Sequence, residues 1–390
     1  MPKIFVFGFD VTEAAQIRRV RGLIAAGASV ASAMMRRDNM NQNFTPEWPN
    51  LTLATAPNEQ LGKRVLVMLR SIWKIARNRH LLDDADLIIA RNFDLLVIAW
   101  AGRMVAGKWR TPLVYECLDI HGLFTRKDAV GAFARWCERW LLARCAALVV
   151  SSPGFVRNYF EPFQGYRGRV ILLENKLWFD GAPIPRPVAP RQGDPDEPLL
   201  LGWVGSIRCA PSLALLMAAA DAFGPRVRIV IRGNVHRHAV PDFDAEIAKR
   251  DNVVYAGPYR YPDELADVYA GCDLVWAQDL WQRGGNSDWL LPNRIYEASY
   301  FGCPSIAVAD TETGRRVAED GLGFTIPKPE AGDLIALLST LDRATIRARS
   351  EALLDRDPRD FRLVPEDYIE AFAPLLPAAS LPRARLAPIP

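Results

Sequence analysis

The chain has 390 residues, of which 50% are hydrophobic and 24% are charged, a composition typical of a soluble globular protein. Because a single hydrophobic core stops growing near roughly 250–300 residues, this length predicts two domains. The six cysteines are scattered and include no CxxC pair, so we expect reduced thiols and neither a structural zinc site nor a disulfide framework.

The net charge of +3 conceals an asymmetry along the chain. Residues 1–178 hold 25 of the 48 Lys and Arg but only 15 of the 45 Asp and Glu, which leaves 23 basic and 30 acidic residues in the remainder. A basic half can bind phosphate, nucleic acid or anionic lipid, although solvated arginines on helix surfaces explain much of the excess.

The first residues, MPKIFVFGFD, predict a strand and show no signal-peptide pattern. No uninterrupted apolar run approaches the ~18 residues that span a bilayer. The most apolar stretch, residues 87–105, is interrupted by charged residues. We therefore expect a cytoplasmic protein.

Strands and helices alternate through the first half of the sequence. Residues 3–9 predict a buried strand, 12–26 a helix and 28–35 a second strand, a βαβ opening without the GxGxxG pattern of dinucleotide-binding proteins. Further strands are predicted at 86–90, 112–116, 147–152 and 169–175. The alternation predicts a doubly wound parallel sheet of about six strands.

Two stretches of the first half fall outside this alternation. Residues 38–58 are rich in Asn, Thr and Pro, and predict a long loop or lid around one short strand. Residues 61–80 predict a helix with apolar residues, including Trp73, on one side and Lys and Arg elsewhere. Such a helix can lie on a membrane surface, but ordinary packing with a solvated basic face is the favoured interpretation.

A proline-rich stretch divides the chain. Residues 179–198 carry six prolines and no periodicity, and predict a linker. The predicted domains are therefore residues 1–178 and residues 199–355. A terminal helical segment, residues 356–377, is a candidate to cross back to the first domain, and residues 378–390 are expected to form a flexible tail.

The second half repeats the alternation of strands and helices. Strands are predicted, with helices between most of them, at 199–206, 227–234, 252–257, 273–278, 305–310 and 323–327. This pattern predicts a second α/β domain with a doubly wound parallel sheet.

The stretch 288–304, DWLLPNRIYEASYFGCP, carries the sharpest local signals. Asn293 is expected at the N-cap of a short helix, which Gly302 and Pro304 end. Glu297 lies one turn from the positive end of that helix, where a carboxylate can accept hydrogen bonds from a pair of sugar hydroxyls. A capping or surface-paired glutamate is the alternative.

The order of these elements and several motifs resemble the GT-B glycosyltransferases, most strongly family 4 and related bacterial exopolysaccharide enzymes of the succinoglycan type. The motifs are GWVGSIR (202–208), IRGN (231–234), residues 253–277 and LPNRIYEASYFGCPSIAV (291–308), with FGFD, ARNFD and YECLDIHG in the first half. Their order and spacing are specific over nearly the whole chain. The resemblance implies two Rossmann-like domains facing a cleft, with the acceptor bound by the first and a nucleotide-sugar donor bound by the second.

The resemblance also implies the donor contacts. Glu297 would bind the ribose hydroxyls, and Gly205 would let backbone amides approach the diphosphate. Arg208 would neutralise the diphosphate as it leaves, with Arg294 as a second cation for that role. The loop 232–234 would border the base. The donor-binding residues implied in this way are Glu297, Arg208, Gly205, Ser206, Arg232, Gly233, Asn293 and Arg294.

The acceptor side of the reaction is expected on a loop after a buried strand of the first half. Asp119 could act as general base for the acceptor hydroxyl or could orient it. His121, with an unperturbed pKa near ~6.5, could form a hydrogen bond with the transferred sugar or act as the base itself. Asp10, and Arg91 with Asn92, are secondary candidates.

The sequence departs from the family pattern at two points. Family 4 retaining enzymes commonly carry two glutamates separated by seven residues; the second matches Glu297, but the first would fall at Trp289, with Asp288 adjacent and out of register. The usual lysine shortly after the diphosphate arginine is also absent. Retention or inversion of the sugar linkage is therefore left open.

The sequence thus predicts a glycosyltransferase without a metal or other cofactor, which moves a sugar from a UDP- or GDP-linked donor to a saccharide acceptor. A polyprenyl-diphosphate-linked acceptor, with contact to anionic lipid at the inner face of the plasma membrane, is a hypothesis raised by the basic first half. No nucleic-acid partner is expected. The alternatives are a nucleotide-sugar 2-epimerase of the same fold and a non-enzymatic nucleotide-sugar-binding protein.

Overall fold

The chain forms two compact units in the computed structural model. The first unit contains Met1–Glu174 together with Val364–Pro390, and the second contains Asn175–Leu363. The first unit thus ends before the predicted boundary at 178, and it includes the C-terminal part of the chain. The structure describes residues 1–36, 44–55, 61–194 and 196–378, with the backbone alone at residues 55 and 61–64, so the expected tail lies outside the described residues beyond 378.

A parallel sheet organises the first unit. Its strands are β1 (Lys3–Gly8), β2 (Ser29–Arg36), β3 (Asn50–Thr55), β4 (Leu87–Arg91), β5 (Leu113–Cys117), β6 (Ala147–Val150) and β7 (Val170–Leu172). Their spatial order is β3-β2-β1-β4-β5-β6-β7, and every pairing is parallel. The chain moves outward from β1 in one direction and then from β4 in the other, which is the predicted doubly wound arrangement.

The edge strand β3 makes this sheet one strand larger than predicted. It comes from the short strand expected within residues 38–58, and it pairs with β2. Side chains support the pairing, because Ser32 Oγ hydrogen-bonds Asn50 Oδ1 at 2.7 Å and Trp48 Nε1 donates to Ser32 Oγ at 2.9 Å. The loop signals around this strand concealed its place in the sheet.

The helices of the first unit cover both faces of the sheet. They are α1 (Ala14–Ala25), α2 (Leu61–Arg77), α3 (Asn92–Val105), α4 (Gly122–Thr125), α5 (Ala129–Leu142) and α6 (Pro153–Phe155). Helix α3 contacts both α2 and α5, so these three helices form one layer. Helix α1 connects β1 to β2, a step toward one edge of the sheet, whereas α3 connects β4 to β5, a step toward the other edge. Because both crossovers are right-handed, α1 lies on the opposite face of the sheet.

A buried polar cluster lies beneath α5. Glu138 is 1% exposed, and its carboxylate accepts hydrogen bonds from the hydroxyls of Tyr115 and Tyr159 and from Nε2 of Gln164. Burial raises the pKa of Glu138 to about 7, although these hydrogen bonds oppose the shift. The carboxyl is therefore held in a site that disfavours its ionised form.

Replacing Glu138 with glutamine should remove a pH-dependent loss of stability. In the wild type the unfolded carboxyl ionises near its usual pKa of 4.5 and the folded one near 7, so stability is full below pH 4.5 and falls as the pH rises to about 7. The difference corresponds to roughly 3 kcal/mol. Urea unfolding of both proteins between these pH values measures it, and parallel pH curves would contradict the assignment.

The second unit contains a six-stranded parallel sheet. Its strands are β8 (Leu199–Ile207), β9 (Val227–Val235), β10 (Val253–Tyr255), β11 (Leu274–Trp276), β12 (Ser305–Val308) and β13 (Gly323–Ile326). Their order is β10-β9-β8-β11-β12-β13. The helices are α7 (Ala210–Phe223), α8 (Phe243–Ala248), α9 (Leu265–Ala270), α10 (Asn286–Trp289), α11 (Asn293–Tyr300), α12 (Glu312–Glu319), α13 (Ala331–Thr340) and α14 (Arg343–Leu354).

The predicted linker belongs structurally to the second unit. The guanidinium of Arg186 donates hydrogen bonds to the carbonyls of Tyr300, Leu353 and Arg356 at 2.7–2.8 Å. These carbonyls lie at or just beyond the C-terminal ends of α11 and α14, where helix geometry leaves carbonyls short of intrahelical donors. The proline-rich segment is therefore fastened along the second unit.

A last helix, α15 (Pro365–Phe372), belongs to the first unit and packs against α1. The contact requires a glycine, because a Cβ at Gly22 would lie 2.3 Å from the ring of Tyr368. The guanidinium of Arg19 lies 5.5 Å from the centre of the same ring. Among the described helices, none combines the length and apolar character needed to cross a membrane.

Candidate active site

Two glycines form the floor of the candidate donor site in the second unit. Gly205 on β8 pairs in register with Gly233 on β9, near the carboxyl ends of both strands, where open α/β sheets bind ligands. Both have positive φ, 109° and 135°. A Cβ on Gly233 would lie 1.8 Å from the carbonyl oxygen of Gly205. Only glycine therefore fits at Gly233, and neither strand carries a side chain at this pair.

Arg294 lies beside this floor. A Cβ built on Gly205 would meet its Nη2 at 3.7 Å, and its Nη1 lies 3.4 Å from the carbonyl oxygen of Trp276 at the end of β11.

The prediction that the neighbouring Asn293 occupies the N-cap of helix α11 was wrong. Pro292 occupies the N-cap of α11 without a side-chain hydrogen bond, and Asn293 is the first helical residue, since proline readily adopts the extended conformation that precedes a helix.

Arg208 follows β8 and is the most exposed cation of the site. Its side chain is 46% exposed, and its Nη2 lies 3.4 Å from Oδ2 of Asp279. The guanidinium also lies 5.0 Å from the centre of the Trp281 ring. Asp279 is oriented in turn by the backbone N–H of Trp281 and the hydroxyl of Ser287. The long ion pair leaves Arg208 able to turn toward an anionic ligand.

Ser206 is joined to a histidine that the sequence had not indicated. Its Oγ lies 2.8 Å from Nε2 of His236, which directly follows β9. Burial lowers the pKa of His236, and the positive charges of Arg208 and His238 lower it further. His236 is therefore neutral at neutral pH, and it can hold the Ser206 hydroxyl without adding charge.

Glu297 lies in the middle of α11 and is only 6% exposed. Its Oε2 accepts a hydrogen bond from the hydroxyl of Tyr269 at 3.0 Å. The ring of Tyr269 stacks on Phe301 at 5.8 Å, one helical turn after Glu297. Burial raises the pKa of Tyr269, and the charge of Glu297 adds to the shift. The tyrosine therefore stays a donor that fixes the carboxylate, a role the sequence did not reveal.

Two further predicted positions have structural partners. Arg232 Nη1 donates to the carbonyl of Ala256 at 2.6 Å, so this side chain ties β9 to the segment after β10. Asp288, adjacent to the missing glutamate position, forms an ion pair with Arg283 at 2.7 Å and accepts the N–H of Gly284. Asp288 therefore stabilises the loop that contains Arg283 and Gly284, and it does not replace the carboxylate absent at position 289.

In the first unit, Asp10 and Asn92 shape the loops at the carboxyl ends of their strands. Asp10 is buried, and its Oδ1 accepts both the N–H and the hydroxyl of Thr12 at 3.0 and 2.8 Å. This bond closes the turn before α1. Asn92 begins α3 with φ 67°, a conformation that asparagine tolerates better than most residues.

Arg91 takes part in a buried ion cluster. Its Nε lies 3.0 Å from Oε2 of Glu116, whose other oxygen lies 2.7 Å from Nε of Arg19. Burial alone would raise the pKa of Glu116, but the two guanidinium groups outweigh it, so the pKa lies below its usual value. Arg91 therefore balances a buried carboxylate here. A glutamate within the apolar strand LVYEC was the signal for this cluster.

Asp119 and His121 lie on the exposed loop after β5. Nδ1 of His121 accepts the backbone N–H of Leu123 at 3.1 Å and caps α4. Because Nδ1 is an acceptor, the neutral ring carries its proton on Nε2. The histidine is thereby arranged as a donor through Nε2, whereas Asp119 presents carboxylate oxygens, which are acceptors.

No group of three or more His, Cys, Asp or Glu in the described part of the chain is close enough to bind a metal ion. The charged groups at the donor edge include the guanidinium groups of Arg208 and Arg294 and the buried carboxylate of Glu297. This set can hold a ligand that combines a diphosphate with a pair of hydroxyls, since guanidinium groups bind phosphate oxygens and a carboxylate accepts from hydroxyls.

The chain has relatives at the level of sequence. Residues 18–176 match the family described as a glycosyl transferase 4-like domain. The chain is 35% identical over 344 residues to the succinoglycan biosynthesis protein ExoL of Rhizobium meliloti (strain 1021), an alignment that covers 87% of this chain and 85% of ExoL.

Solved structures share the fold at low identity. Sucrose-phosphate synthase from Thermosynechococcus elongatus aligns with a TM-score of 0.66 and 15% identity, over 91% of this chain and 95% of the synthase. Anabaena HepE in complex with UDP aligns with a TM-score of 0.63 and 17% identity, over 96% of this chain and all of HepE. These similarities, with the two parallel-sheet units, confirm the predicted GT-B fold.

Proposed function

This chain belongs to the glycosyltransferase 4-like family of bacterial exopolysaccharide enzymes, and from that premise we propose that it moves a sugar from a nucleotide diphosphate sugar to a saccharide acceptor. The observation that carries the proposal is the glycine floor at Gly205 and Gly233 with Arg294 beside it. Such a floor lets backbone amides approach a diphosphate, and the nearby cation matches its charge.

The donor in this proposal lies along the carboxyl edge of the second sheet. Its diphosphate lies over Gly205, between Arg208 and Arg294, and its ribose hydroxyls donate to the carboxylate of Glu297. Tyr269 supports this role because its hydroxyl donates a hydrogen bond to one oxygen of that carboxylate and so orients it. The loop after Arg232 borders the base. Because HepE was solved with UDP, a uridine donor is the first to test, with a guanosine donor as the second.

The chemistry breaks the bond between the anomeric carbon and the diphosphate, and forms one from the same carbon to an acceptor hydroxyl. Negative charge develops on the departing phosphate, where Arg208 and Arg294 stabilise it. The acceptor hydroxyl loses its proton, and we assign the base role to Asp119. His121 is assigned to donate a hydrogen bond through Nε2, because its Nδ1 is already occupied by the backbone of Leu123.

The transfer is proposed to need no metal ion, because two guanidinium groups beside the glycine floor can offset the charge that a divalent cation would otherwise offset. Membership of a transferase family sets aside the 2-epimerase and the non-enzymatic binding protein. ExoL is named for succinoglycan biosynthesis. We therefore propose exopolysaccharide assembly as the process and a polyprenyl-diphosphate-linked saccharide as the acceptor.

Nucleotide binding should be visible as a rise in melting temperature. A ligand at a hundred times its Kd adds about 2.7 kcal/mol of stability, so UDP or GDP should shift the transition, with or without EDTA. Glu297→Gln should weaken binding roughly tenfold to a hundredfold, because it removes a charge-assisted hydrogen bond to the ribose. The matched control is Glu351→Gln, an exposed glutamate of the same unit paired with Arg347.

The outcomes separate the parts of this proposal. If no nucleotide shifts the wild-type transition, the assignment of the donor site is wrong. If Glu297→Gln binds as tightly as wild type, the carboxylate has a structural role only. If EDTA abolishes the shift, the two arginines are insufficient and the proposal of metal independence fails.

A further inference from the structure

Exposed apolar side chains are concentrated on one helical layer of the first unit. In the described part of the chain, ten of the eighteen exposed large hydrophobic side chains lie on α2 or α5, or at and just beyond the end of α3. Because α3 contacts both α2 and α5, these residues share one side of the unit. Scattered exposed apolar residues are normal, but a concentration of this kind marks an interaction surface.

Helix α2 presents an apolar stripe away from the sheet. Leu69 and Trp73, one turn apart, are 59% and 60% exposed, and Val65 continues the stripe by a further turn. Ser71 and Ile75 lie on the opposite side of the helix and are buried. The helix is therefore apolar on the side that faces solvent as well as on the side that faces its neighbours, and ordinary packing does not account for Trp73.

Helix α5 carries a second stripe. Phe133 and Trp136, spaced three residues apart, are 65% and 57% exposed, and their rings stack at 5.8 Å. Val130 lies one turn earlier and is also exposed. The opposite side of α5 is buried around Ala134 and Glu138. Each exposed stripe thus belongs to a helix that is already anchored by its other face.

Positive charge borders the apolar stripe of α2 and the end of α3. By sequence, α2 carries five Lys or Arg and no Asp or Glu. The guanidinium of Arg77 lies 4.6 Å from the centre of the Trp73 ring, and that of Arg110 lies 4.5 Å from Trp109. Aromatic rings flanked by cations are the composition that binds at the headgroup level of an anionic bilayer, with the ring in the interface and the charge near the phosphates.

We propose that the layer formed by α2, the end of α3 and α5 docks the enzyme on an anionic lipid bilayer. Leu69 and Trp73 form one contact, and Phe133 and Trp136 form a second, on either side of α3. The cations of α2 neutralise lipid headgroups. Charge complementarity favours this occupant over a second copy of the chain, because two such layers would bring like charges together.

The docking surface is inferred from exposed side chains alone. Its role rests on the proposed function, because docking would hold the enzyme where a lipid-linked saccharide is presented. Two separate contacts on one rigid layer fix the orientation of the first unit against the bilayer. Binding by two contacts is also stronger than by either alone, since the second engagement is intramolecular. The loss of one contact is therefore expected to weaken docking strongly.

Flotation of the full chain with vesicles tests the proposal. Wild type should float with vesicles of phosphatidylglycerol and phosphatidylethanolamine, less with phosphatidylcholine alone, and less again at high salt. Leu69→Ser with Trp73→Ser, and separately Phe133→Ser with Trp136→Ser, should each lower the partition coefficient about tenfold or more. Exposed apolar controls away from the layer are Ile24→Ser on α1 and Val188→Ser in the second unit.

Several results would overturn this surface. Wild type that stays with the soluble fraction rules it out, as do serine variants that float as well as wild type. If light scattering instead shows a wild-type dimer that the variants lose, the layer joins two copies. The nucleotide-induced melting shift, measured without vesicles, keeps the two proposals apart, because it tests the donor site alone and should be unchanged in the serine variants.

Discussion

Replacing Arg208 with alanine should lower kcat about 10²–10³-fold, with a smaller effect on donor binding. Loss of one preorganised group that stabilises transition-state charge has an effect of this size. Arg208 fits the role because its side chain is half-exposed at the end of β8 and its ion pair to Asp279 is long, at 3.4 Å. Release of nucleoside diphosphate from the nucleotide sugar whose nucleotide, UDP or GDP, binds in the melting assay measures the change.

One variant separates the charge of Arg208 from its shape, and a second serves as the control. Arg208→Lys keeps the charge but loses the planar fork, and should recover part of the activity. Arg237→Ala removes an exposed arginine that pairs with Asp244, and should be neutral. If Arg208→Ala keeps wild-type kcat, or if Arg237→Ala is equally slow, Arg208 is not the group that stabilises the leaving diphosphate.

A second readout for Arg208 does not depend on turnover. Burial lowers the pKa of His236, and the positive charge of Arg208 contributes to the shift. In Arg208→Ala the pKa of His236 should therefore rise toward its usual value, which an NMR titration of the ring can follow. An unchanged His236 pKa together with slow turnover would indicate that the arginine side chain lies elsewhere in solution.

The alternation of strands and helices was sufficient to predict both parallel sheets, because period and order are local properties of the sequence. It failed where side-chain contacts decide the structure. The short strand expected within residues 38–58 was not assigned to the sheet, yet it pairs with β2 at the sheet edge, where the side chains of Ser32, Asn50 and Trp48 support it. The proline-rich stretch reads as a free linker, yet Arg186 fastens it to two helix ends.

In the candidate site, too, local motifs indicated some residues, whereas others are brought there only by the tertiary fold. Gly205, Arg208 and Glu297 stand in short motifs with local spacing, so the sequence could indicate them. Tyr269 contacts Glu297 across 28 positions of the chain, and no local pattern distinguishes it from other tyrosines. The glutamate in LVYEC signalled a buried charge, but its pairing with Arg91 follows from the register of β4 against β5, which no local pattern gives. Pairings set by the tertiary fold cannot be read from spacing alone.

Gly233→Ala should be the most destabilising single substitution at the donor edge. The new Cβ would lie 1.8 Å from the carbonyl oxygen of Gly205, at a φ of 135° that side chains rarely adopt. Overpacking and backbone strain each cost about 1–3 kcal/mol. Together they should lower the melting temperature of the second unit by roughly 4–24 °C, given about 2–4 °C per kcal/mol at this domain size. Differential scanning calorimetry measures the change.

Two other glycines show whether the close approach, and not the positive φ alone, produces this effect. Gly284→Ala has φ 75° and no atom within 4 Å of the added Cβ, so only backbone strain should appear. Gly205→Ala meets nothing closer than Arg294 Nη2 at 3.7 Å, so only the strain of its φ of 109° should lower its stability. Its methyl group would nonetheless stand where we place the diphosphate, so nucleotide binding should weaken at least tenfold.

Two results would contradict these assignments. Equal melting temperatures for Gly233→Ala and Gly284→Ala would contradict the close packing of Gly233 on Gly205. Normal nucleotide binding by Gly205→Ala would show that the diphosphate does not lie over Gly205.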